Sequence, residues 1–373
     1  MKLCFFPKTA SIGPSSRYRI YQYLPYLSAA GIRTQVYPLF GPAYFTMIEV
    51  RPKWVQTLVK MAYTILRFLK RVFDILSISP GDLVVIEGQL FPYCPPIVEK
   101  MLARRNRFIV ELDDAIYLTP WHGRKIPAVL RFSSGAIVGN AMLARYARTH
   151  TSTVSVFPTV VDTDRFRPGP VGRASSSMSV DKSITIVWIG LAFNFAYVEM
   201  LVPVFQRLQS EYDIVFRVIC SRPPLLPDVR MEFRPWTYET EVEDLQKSDI
   251  GVMPLIDNEW AQGKCGLKLL QYMAVGLPSV ASPVGVNCEI VREGDNGFLA
   301  KAAEDWYQHL ALLCRDVELR KRVGRSARAT VESQYSLNQW GGRLAEHYKT
   351  IMAAGSPQRP VTGSHRSWSH TTE

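Results

Sequence analysis

The feature that most constrains the fold is a strand–helix alternation that runs twice along the chain. In the first half, short segments rich in Val, Ile and Phe alternate with helical stretches, and the same alternation starts again after residue 183. Short apolar strands separated by helices are typical of parallel sheets that are covered by helices on both faces. The sequence therefore predicts an α/β protein with two successive doubly wound, Rossmann-like domains.

The pattern predicts most of the elements individually. In the first domain we expect strands at 3–7, 34–38, 83–87, 107–112, 136–138 and 154–157, with helices at 18–30, 95–105 and 141–149. In the second domain we expect strands at 184–189, 214–219, 250–254 and 279–281, with helices at 197–210, 241–247, 267–275, 303–315 and 318–334.

Domain boundaries follow from changes in composition. The first domain is predicted to span residues 1–166, and the second to span 184–336. Residues 167–183 are rich in Pro, Gly and Ser and lack periodicity, which is typical of a linker. The last helix, about 337–354, is expected to pack back on the first domain. Residues 355–373 have almost no apolar side chains, so a disordered tail is predicted.

The charge is distributed unevenly between the two halves. Residues 1–180 carry 23 Lys and Arg against 10 Asp and Glu, whereas the rest of the chain is slightly acidic. Such asymmetry suggests that one domain faces a polyanion, either phospholipid or nucleic acid, and solubility alone is the alternative. The patterns typical of nucleic-acid recognition are missing, so that partner is not expected.

Cysteine usage and hydropathy bear on location. The six cysteines are scattered without a CxxC pair, which argues against a zinc site or a disulfide framework and favours a reducing cytoplasm. No uncharged apolar run approaches the length of about 20 residues that spans a bilayer, so the protein is not expected to cross a membrane.

Residues 53–76 predict a long amphipathic helix. At 100° per residue, its basic and polar residues occupy one arc, and the opposite side is apolar from Trp54 to Phe73. This pattern is typical of a basic helix that lies in a lipid interface, and it would place the protein peripherally on the inner face of the cell membrane. The alternative is a helix that packs on the sheet of the first domain.

A phosphate site is predicted where a glycine-containing turn enters a helix in the second domain. Gly263, Lys264, Cys265, Gly266, Leu267 and Lys268 form this turn and the helix start. Free amides at a helix start and the helix dipole attract phosphate, and the two lysines can add positive charge. An ordinary Rossmann-type loop with surface lysines is the alternative.

The same segment resembles the signature of the retaining glycosyltransferases of family 4, which have the GT-B fold. The similarity extends to 154–166, 188–190, 280–291 and 294–299, and so covers most of the chain. Within the signature, the matching residues are Gly266, Leu269, Leu270, Met273, Ala274, Gly276, Leu277 and Pro278. The resemblance implies two Rossmann-like domains that face each other across a cleft and bind a nucleotide sugar there.

The chain departs from the family's pattern at three places. Gly263 occupies the place of the family's first Glu, which contacts the transferred sugar, and Gln271 occupies the place of the second, which binds the ribose. Gln271 can still hydrogen-bond a ribose hydroxyl. The Arg and Lys pair that the family carries after Gly190 is also missing, and Lys264 and Lys268 are expected to neutralise the diphosphate instead.

The first domain supplies further candidates. A turn of Gly13, Ser15, Ser16, Arg17 and Arg19 resembles the family's glycine-rich loop, so these residues and Gly190 are expected to bind the diphosphate; decoration of a surface helix is the alternative. Asp113 and Asp114 follow a strand at the carboxyl edge, where such sites lie. They are expected to hydrogen-bond sugar hydroxyls or the acceptor, or else to cap a turn.

The resemblance also implies a reaction. A nucleotide sugar donates its sugar, with retention, to a glycan or lipid-linked acceptor in polysaccharide or lipopolysaccharide assembly, as in a hexosyl- or related glycosyltransferase. Lys264, Lys268, Asp113 and Asp114 are the candidate catalytic residues, and Trp236, Thr237, Tyr238 and Gln271 the nucleoside-binding ones. No metal and no cofactor are expected. The alternative is a non-catalytic nucleotide-sugar-binding protein that regulates a partner.

Overall fold

The structure is a computed structural model, and it describes residues 1–46, 52–169 and 183–354. Within these ranges the chain forms two six-stranded sheets in which every pair of neighbouring strands is parallel. The predicted class of two doubly wound, Rossmann-like units is confirmed. Most of the predicted linker and the whole predicted tail lie outside the described residues.

The first sheet has the strand order β2-β1-β3-β4-β5-β6. Its strands are β1 (Leu3–Phe6), β2 (Thr34–Val36), β3 (Leu83–Glu87), β4 (Phe108–Leu112), β5 (Gly135–Val138) and β6 (Val154–Val156). The central strands are buried on both faces, as expected for a parallel sheet between two helix layers.

Seven helices belong to the described part of this first unit. They are α1 (Pro14–Arg19), α2 (Leu24–Ala29), α3 (Ala43–Thr46), α4 (Lys53–Leu76), α5 (Ile97–Arg105), α6 (His122–Phe132) and α7 (Ala141–Arg148). Short 3-10 turns lie at Tyr21–Tyr23 and Ile116–Leu118.

The second sheet has the strand order β12-β11-β10-β7-β8-β9. Its strands are β7 (Ile184–Ile189), β8 (Ile214–Cys220), β9 (Met231–Pro235), β10 (Ile250–Met253), β11 (Ser279–Ala281) and β12 (Phe298–Leu299). The helices that follow β7 in the chain are α8 (Phe195–Glu199), α9 (Val202–Glu211), α10 (Glu241–Gln246), α11 (Glu259–Gln262), α12 (Leu267–Ala274), α13 (Asn287–Ile290), α14 (Ala303–Arg315), α15 (Val317–Gln334) and α16 (Leu337–Ala353).

Proline breaks two of the predicted helices. The segment predicted as one helix over 18–30 ends at Arg19 and restarts at Leu24, with Pro25 in the first turn of α2. The segment predicted over 197–210 is likewise split, with Pro203 in the first turn of α9. A proline has no amide hydrogen and clashes with the preceding turn, so a helix tolerates it more readily in the first turn than in the interior.

Several of the described elements have no counterpart in the sequence prediction, and strand β9 and helix α6 are the longest of them. Strand β9 is an edge strand whose residues are all half-buried or exposed, so it lacks the apolar run that marks the other strands. Helix α6 contains Pro127, which obscures its periodicity.

The last helix crosses from the second unit to the first. Leu344 and Tyr348 of α16 are buried against the first sheet, and the Tyr348 ring packs edge-on to Phe5 with centroids 5.9 Å apart. Gly341 lets this helix approach α2, because a Cβ atom there would lie 2.3 Å from the Tyr26 ring. The chain is thereby closed on itself through contacts far apart in sequence.

Candidate functional site

The turn predicted to bind phosphate lies between the two domains. The Gly263 carbonyl accepts a hydrogen bond from Asn140 Nδ2 at 2.8 Å. A Cβ atom on Gly263 would be 2.6 Å from Ala115 Cβ and 3.2 Å from its amide nitrogen. Glycine at this position therefore allows the first domain to approach, and a glutamate in its place would collide with Ala115.

Cys265 makes a second contact across the same boundary. Its Sγ donates to the Asp113 carbonyl at 3.1 Å, and it fills the space above Gly139, where a Cβ atom would lie 2.3 Å from the sulfur. Burial raises the pKa of this thiol to about 12, so Cys265 remains a neutral packing group.

Helix α12 begins at this boundary. Gly266 precedes it with φ of 70°, a left-handed conformation that favours glycine, and a Cβ atom there would also lie 2.7 Å from Ile290 Cδ1. Among the described residues no side chain caps the helix start. Its first amides are therefore available to another acceptor, as an anion site requires.

Lys268 lies over the carboxyl end of β7. Its stem packs on Gly190, where a Cβ atom would be 2.8 Å from Lys268 Cε, and its Nζ lies 5.6 Å from the centroid of the Trp188 ring. Burial, with a smaller contribution from Lys264, lowers the pKa of Lys268 to about 8, and Asp114 opposes this shift. The absence of a side chain at Gly190 thus makes room for the lysine.

Asp114 faces this group of lysines from the first domain. Burial, and then the neighbouring Asp113, raise the pKa of Asp114 to about 6, while Lys264, Lys268 and Lys8 act in the opposite direction. The half-buried carboxylates and the lysines therefore share one region between the domains. A lysine group beside a helix start can bind a diphosphate, and the carboxylates can accept hydrogen bonds from sugar hydroxyls.

Arg17 lies farther along the boundary, beside the predicted nucleoside site. Its guanidinium is 5.0 Å from the Trp236 ring centroid and 5.5 Å from that of Tyr238, and it pairs with Glu241 at 3.8 Å. Within the described part of the chain, its Nε and Nη1 are buried without a hydrogen-bond partner. The structure therefore places Arg17 with the predicted nucleoside-binding residues rather than beside the lysines.

The remaining predicted nucleoside residues have partners within the protein. Gln271 is buried and its Nε2 donates to Tyr18 Oη at 3.0 Å, across the domain boundary. Thr237 Oγ1 accepts from the Thr240 amide at the start of α10. Trp236 Nε1 donates to Glu241 at 2.8 Å.

Two residues of the first-domain turn do not reach this region. Arg19 forms a buried ion pair with Glu111 and donates to the Phe157 carbonyl at 2.8 Å. Ser16 is fully buried and donates to Glu87 at 2.6 Å. Their predicted phosphate contacts are therefore revised, because both side chains are engaged inside the first domain.

The other two residues of that turn have simpler positions. A Cβ atom on Gly13 would lie 1.9 Å from Thr9 Oγ1, so glycine is needed for the turn to close. Ser15 is half-buried in the first turn of α1.

Sequence reasoning missed several residues at the boundary. Lys8, Ala115 and Asn140 follow β1, β4 and β5, and the carboxyl ends of parallel strands lie at one edge of a sheet. Their position directly after parallel strands was the sequence signal that could have identified them. Asn140 also caps α7 through Oδ1, so its side chain joins the two domains while it starts a helix.

A cavity of about 350 Å³ lies beside the turn and is lined by both domains. The first domain contributes Asn140, Pro158 and Thr159, and the second contributes Cys265 and Ile290. Neither the two lysines nor the two carboxylates line this cavity. We refer to the lysine–carboxylate region between the domains as the crevice. Two parallel-sheet domains that enclose a crevice at their strand ends define the GT-B architecture of glycosyltransferases.

Comparison with known proteins agrees with this class. Residues 183–316 match the family described as Glycosyl transferases group 1. N-acetyl-alpha-D-glucosaminyl L-malate synthase of Bacillus anthracis is 31% identical over 88 residues, which are 23% of this chain and 22% of the relative. The chain thus matches about a fifth of that relative's length.

Solved structures match over almost the whole chain. Sucrose-phosphate synthase from Thermosynechococcus elongatus has a TM-score of 0.68 at 15% identity and covers 95% of this chain and 100% of its own. HepE from Anabaena, in complex with UDP and glucose, has a TM-score of 0.70 at 14% identity, with 94% and 100% covered. These structures share the fold. The family match covers about a third of the chain, in the second domain, and the solved structures show the two-domain GT-B fold.

Within the described ranges, no helix is long and apolar enough to cross a membrane.

Proposed function

We propose that the chain is a glycosyltransferase that moves a sugar from a nucleotide-sugar donor to an acceptor, with retention of configuration. The observation that carries the proposal is that Lys264 and Lys268, at a helix start, lie within electrostatic reach of Asp114 of the opposite domain, while Cys265 contacts the Asp113 carbonyl at 3.1 Å. This arrangement offers cations for a diphosphate and carboxylates for sugar hydroxyls within one crevice. The match of residues 183–316 to a glycosyltransferase family supports it.

The reaction exchanges one bond to the anomeric carbon for another. The bond from this carbon to the diphosphate oxygen breaks, and a bond to the acceptor oxygen forms. The acceptor proton passes to the leaving diphosphate, which departs as a nucleoside diphosphate. Lys264, Lys268 and the amides after Gly266 stabilise the charge that develops on this leaving group. We propose that they do so without a metal ion.

The missing glutamate at position 263 has a steric explanation in this scheme. Ala115 lies against Gly263, and it directly follows Asp113 and Asp114 in the chain. The first-domain segment that carries these two carboxylates therefore lies against the place where the related signature carries a glutamate on the second domain. We propose that Asp113 and Asp114 hold the sugar hydroxyls. With its pKa raised to about 6, the Asp114 carboxyl would accept hydrogen bonds near neutral pH and could donate one only at mildly acidic pH.

The nucleoside is proposed to bind along Trp236 and Tyr238, with Arg17 above their rings. The two unpartnered nitrogens of Arg17 support this placement, since a buried guanidinium gains from further acceptors. Gln271 would exchange its hydrogen bond with Tyr18 for a ribose hydroxyl.

The proposed acceptor is a glycan or a lipid-linked glycan in polysaccharide or lipopolysaccharide assembly. We propose a cytoplasmic protein that works peripherally at the inner face of the cell membrane. The basic excess of the first domain is consistent with that location.

A thermal-shift screen of nucleoside diphosphates and their sugars tests the proposal. A ligand that binds only the folded state raises the midpoint of unfolding. UDP-glucose is the first compound to test, because a structurally similar Anabaena protein was solved in complex with it. We expect one class of nucleotide to raise the midpoint of unfolding. The sugar donor of that class should then be hydrolysed slowly when no acceptor is present. Binding without hydrolysis or transfer would instead favour the regulatory alternative.

A further inference from the structure

A surface helix usually turns its apolar side towards the protein, and the long helix α4 has the reverse orientation. Its polar arc faces the protein and its apolar side faces outward. Seven apolar residues, spaced three or four positions apart, form what we call the outer stripe. They are Trp54, Leu58, Met61, Ile65, Leu69, Val72 and Leu76, and each is at least 43% exposed. Leu66 and Phe73 widen the stripe, with exposures of 65% and 71%.

Specific hydrogen bonds hold the helix in this orientation. Arg67 donates from Nε and Nη2 to the carbonyls of Leu39 and Pro38, both at 2.6 Å. Arg71 is 1% exposed, and its Nη2 donates to the Pro7 carbonyl at 2.9 Å. Arg67 and Arg71 are therefore hydrogen-bonded to the first domain, although the sequence pattern assigned them to the solvent or to lipid headgroups.

These attachments also define where the stripe lies. Pro7 follows β1, and Pro38 and Leu39 follow β2, so the arginines bind loops at the carboxyl edge of the first sheet. That edge carries the crevice. A helix of 24 residues is about 36 Å long. The outer stripe therefore runs along the flank of the first domain and reaches the level of the crevice.

An exposed row of large apolar side chains on one helix marks a binding surface, since soluble proteins rarely display such a patch without use. Helices α4 and α5 carry eight Lys and Arg against Asp74 and Glu99. Glu99 is fully buried in an ion pair with Lys125. Arg67 and Arg71 are turned inward, but Lys100, Arg104 and Arg105 of α5 are exposed, and Arg105 donates to the Leu76 carbonyl at 3.4 Å. The exposed charge beside the C-terminal end of the stripe is therefore positive, which is complementary to anionic lipid headgroups.

Two other occupants fit less well. A second copy of the chain would meet the stripe through a two-fold contact, which would bring two basic surfaces together. The chain's own residues 355–373 contain only Val361 and Trp368 as large apolar residues, too few to cover nine exposed apolar side chains.

We propose that the outer stripe of α4 inserts into the interface of an anionic phospholipid bilayer, so that the crevice opens beside the membrane. One part of this inference rests on the proposed function: the docked protein would present a lipid-linked acceptor to the crevice. The docking itself depends on α4 alone.

The test is flotation of the full chain with vesicles of phosphatidylglycerol and phosphatidylcholine, compared with phosphatidylcholine alone. The test variant combines Ile65→Asp with Leu69→Asp, both of which are 55% exposed and can change without loss of a core contact. The control combines Leu225→Asp with Val317→Asp, which are 87% and 43% exposed in the second domain. We expect the wild type and the control to float with anionic vesicles, and the test variant to bind at least about tenfold more weakly.

A second measurement follows Trp54 directly. Brominated lipids should quench the fluorescence of the wild type more than that of Trp54→Phe, because Trp54 would lie among the acyl chains. Equal flotation of the test variant and the wild type would overturn the proposal. It would also be overturned if the wild type formed a dimer that did not bind vesicles and the two substitutions of the test variant made that dimer dissociate. Vesicle binding is measured without nucleotide, and thermal shift without vesicles. Failure of the docking proposal is thereby distinguished from failure of the proposed function.

Discussion

At the scale of single residues, the lysines at the start of α12 have different surroundings. Lys268 packs on Gly190 and Trp188, and burial lowers its pKa, whereas Lys264 lies beside Trp260, with its Nζ 5.6 Å from the ring centroid. Both act on the region of Asp114. They should therefore contribute unequally to binding and to turnover.

Replacement of Lys264 by Ala should reduce turnover far more than nucleotide binding. The ammonium would stabilise charge that grows on the leaving diphosphate in the transition state, so we expect a loss of about 100-fold or more in donor turnover. Nucleotide affinity should fall by less than about tenfold. Turnover and titration calorimetry provide the two values. Lys301→Ala, at an exposed position of the second domain, is the matched control, and near-normal turnover of Lys264→Ala would reject the assigned role.

The lowered pKa of Lys268 predicts proton uptake when a nucleoside diphosphate binds. In the empty protein the lysine has a pKa of about 8, below its ordinary value of 10.5, so it is mainly charged at pH 7 and loses this charge as pH rises through about 8. A bound diphosphate favours the charged form and raises the pKa again. Uptake should therefore be larger at about pH 8.5 than at about pH 7.

Calorimetry in buffers of different ionisation enthalpy measures this uptake. The Lys268→Met variant should lose it at the higher pH, while Asp114→Asn should retain it. Unchanged uptake in Lys268→Met would show that another group titrates.

At the scale of elements, the contact of α16 with α2 depends on a glycine. A Cβ atom at Gly341 would lie 2.3 Å from the Tyr26 ring, whereas one at Gly342 would meet no atom of the described residues within 4 Å. Gly341→Ala should therefore destabilise the fold by about 1–3 kcal/mol through overpacking. Gly342→Ala, on the same helix, should stabilise it by about 0.5–1 kcal/mol, because alanine favours helix more than glycine does. Denaturant unfolding distinguishes these outcomes, and equal effects would mean that the packing of α16 differs.

The elements also show what a pattern of residues can and cannot predict. Strands β3, β7 and β11 have the predicted bounds, because continuous apolar runs between turns specify them. Strand β9 was missed because its position at the sheet edge leaves it without such a run. The amphipathic pattern of α4 predicted the helix, but not which side faces the protein. That depends on carbonyls of Pro7, Pro38 and Leu39, which are distant in sequence.

At the scale of the whole molecule, the two domains are held together by small residues and by buried charge. Glu241 of the second domain is fully buried and pairs with Arg165 at 2.7 Å and with Arg17 at 3.8 Å. Gly263 and Ala115 set how closely the domains approach beside the lysines. Addition of a single methyl group at Gly263 should therefore increase the distance between the domains.

Gly263→Ala should hold the crevice partly open. The added Cβ atom would lie 2.6 Å from Ala115 Cβ, so the loops must separate. We expect a larger radius of gyration in X-ray scattering with nucleotide present, and lower donor turnover, since charge stabilisation requires both domains. Ala115→Gly in the same chain removes one of the two clashing groups and should restore much of the activity. A double variant no better than Gly263→Ala would contradict this account.

The sequence by itself determined the class of fold and the start of α12 between Gly266 and Leu267, because apolar periodicity and glycine act over a few neighbouring residues. It also singled out Lys264, Lys268, Asp113 and Asp114 as candidates. Only the tertiary structure decided that Arg19 and Ser16 are engaged inside the first domain, that Arg17 lies with Trp236, and that Ala115 occupies the space beside Gly263. Those outcomes depend on contacts between side chains that are distant in sequence and come together at the strand ends. Local sequence patterns carry no information about such contacts.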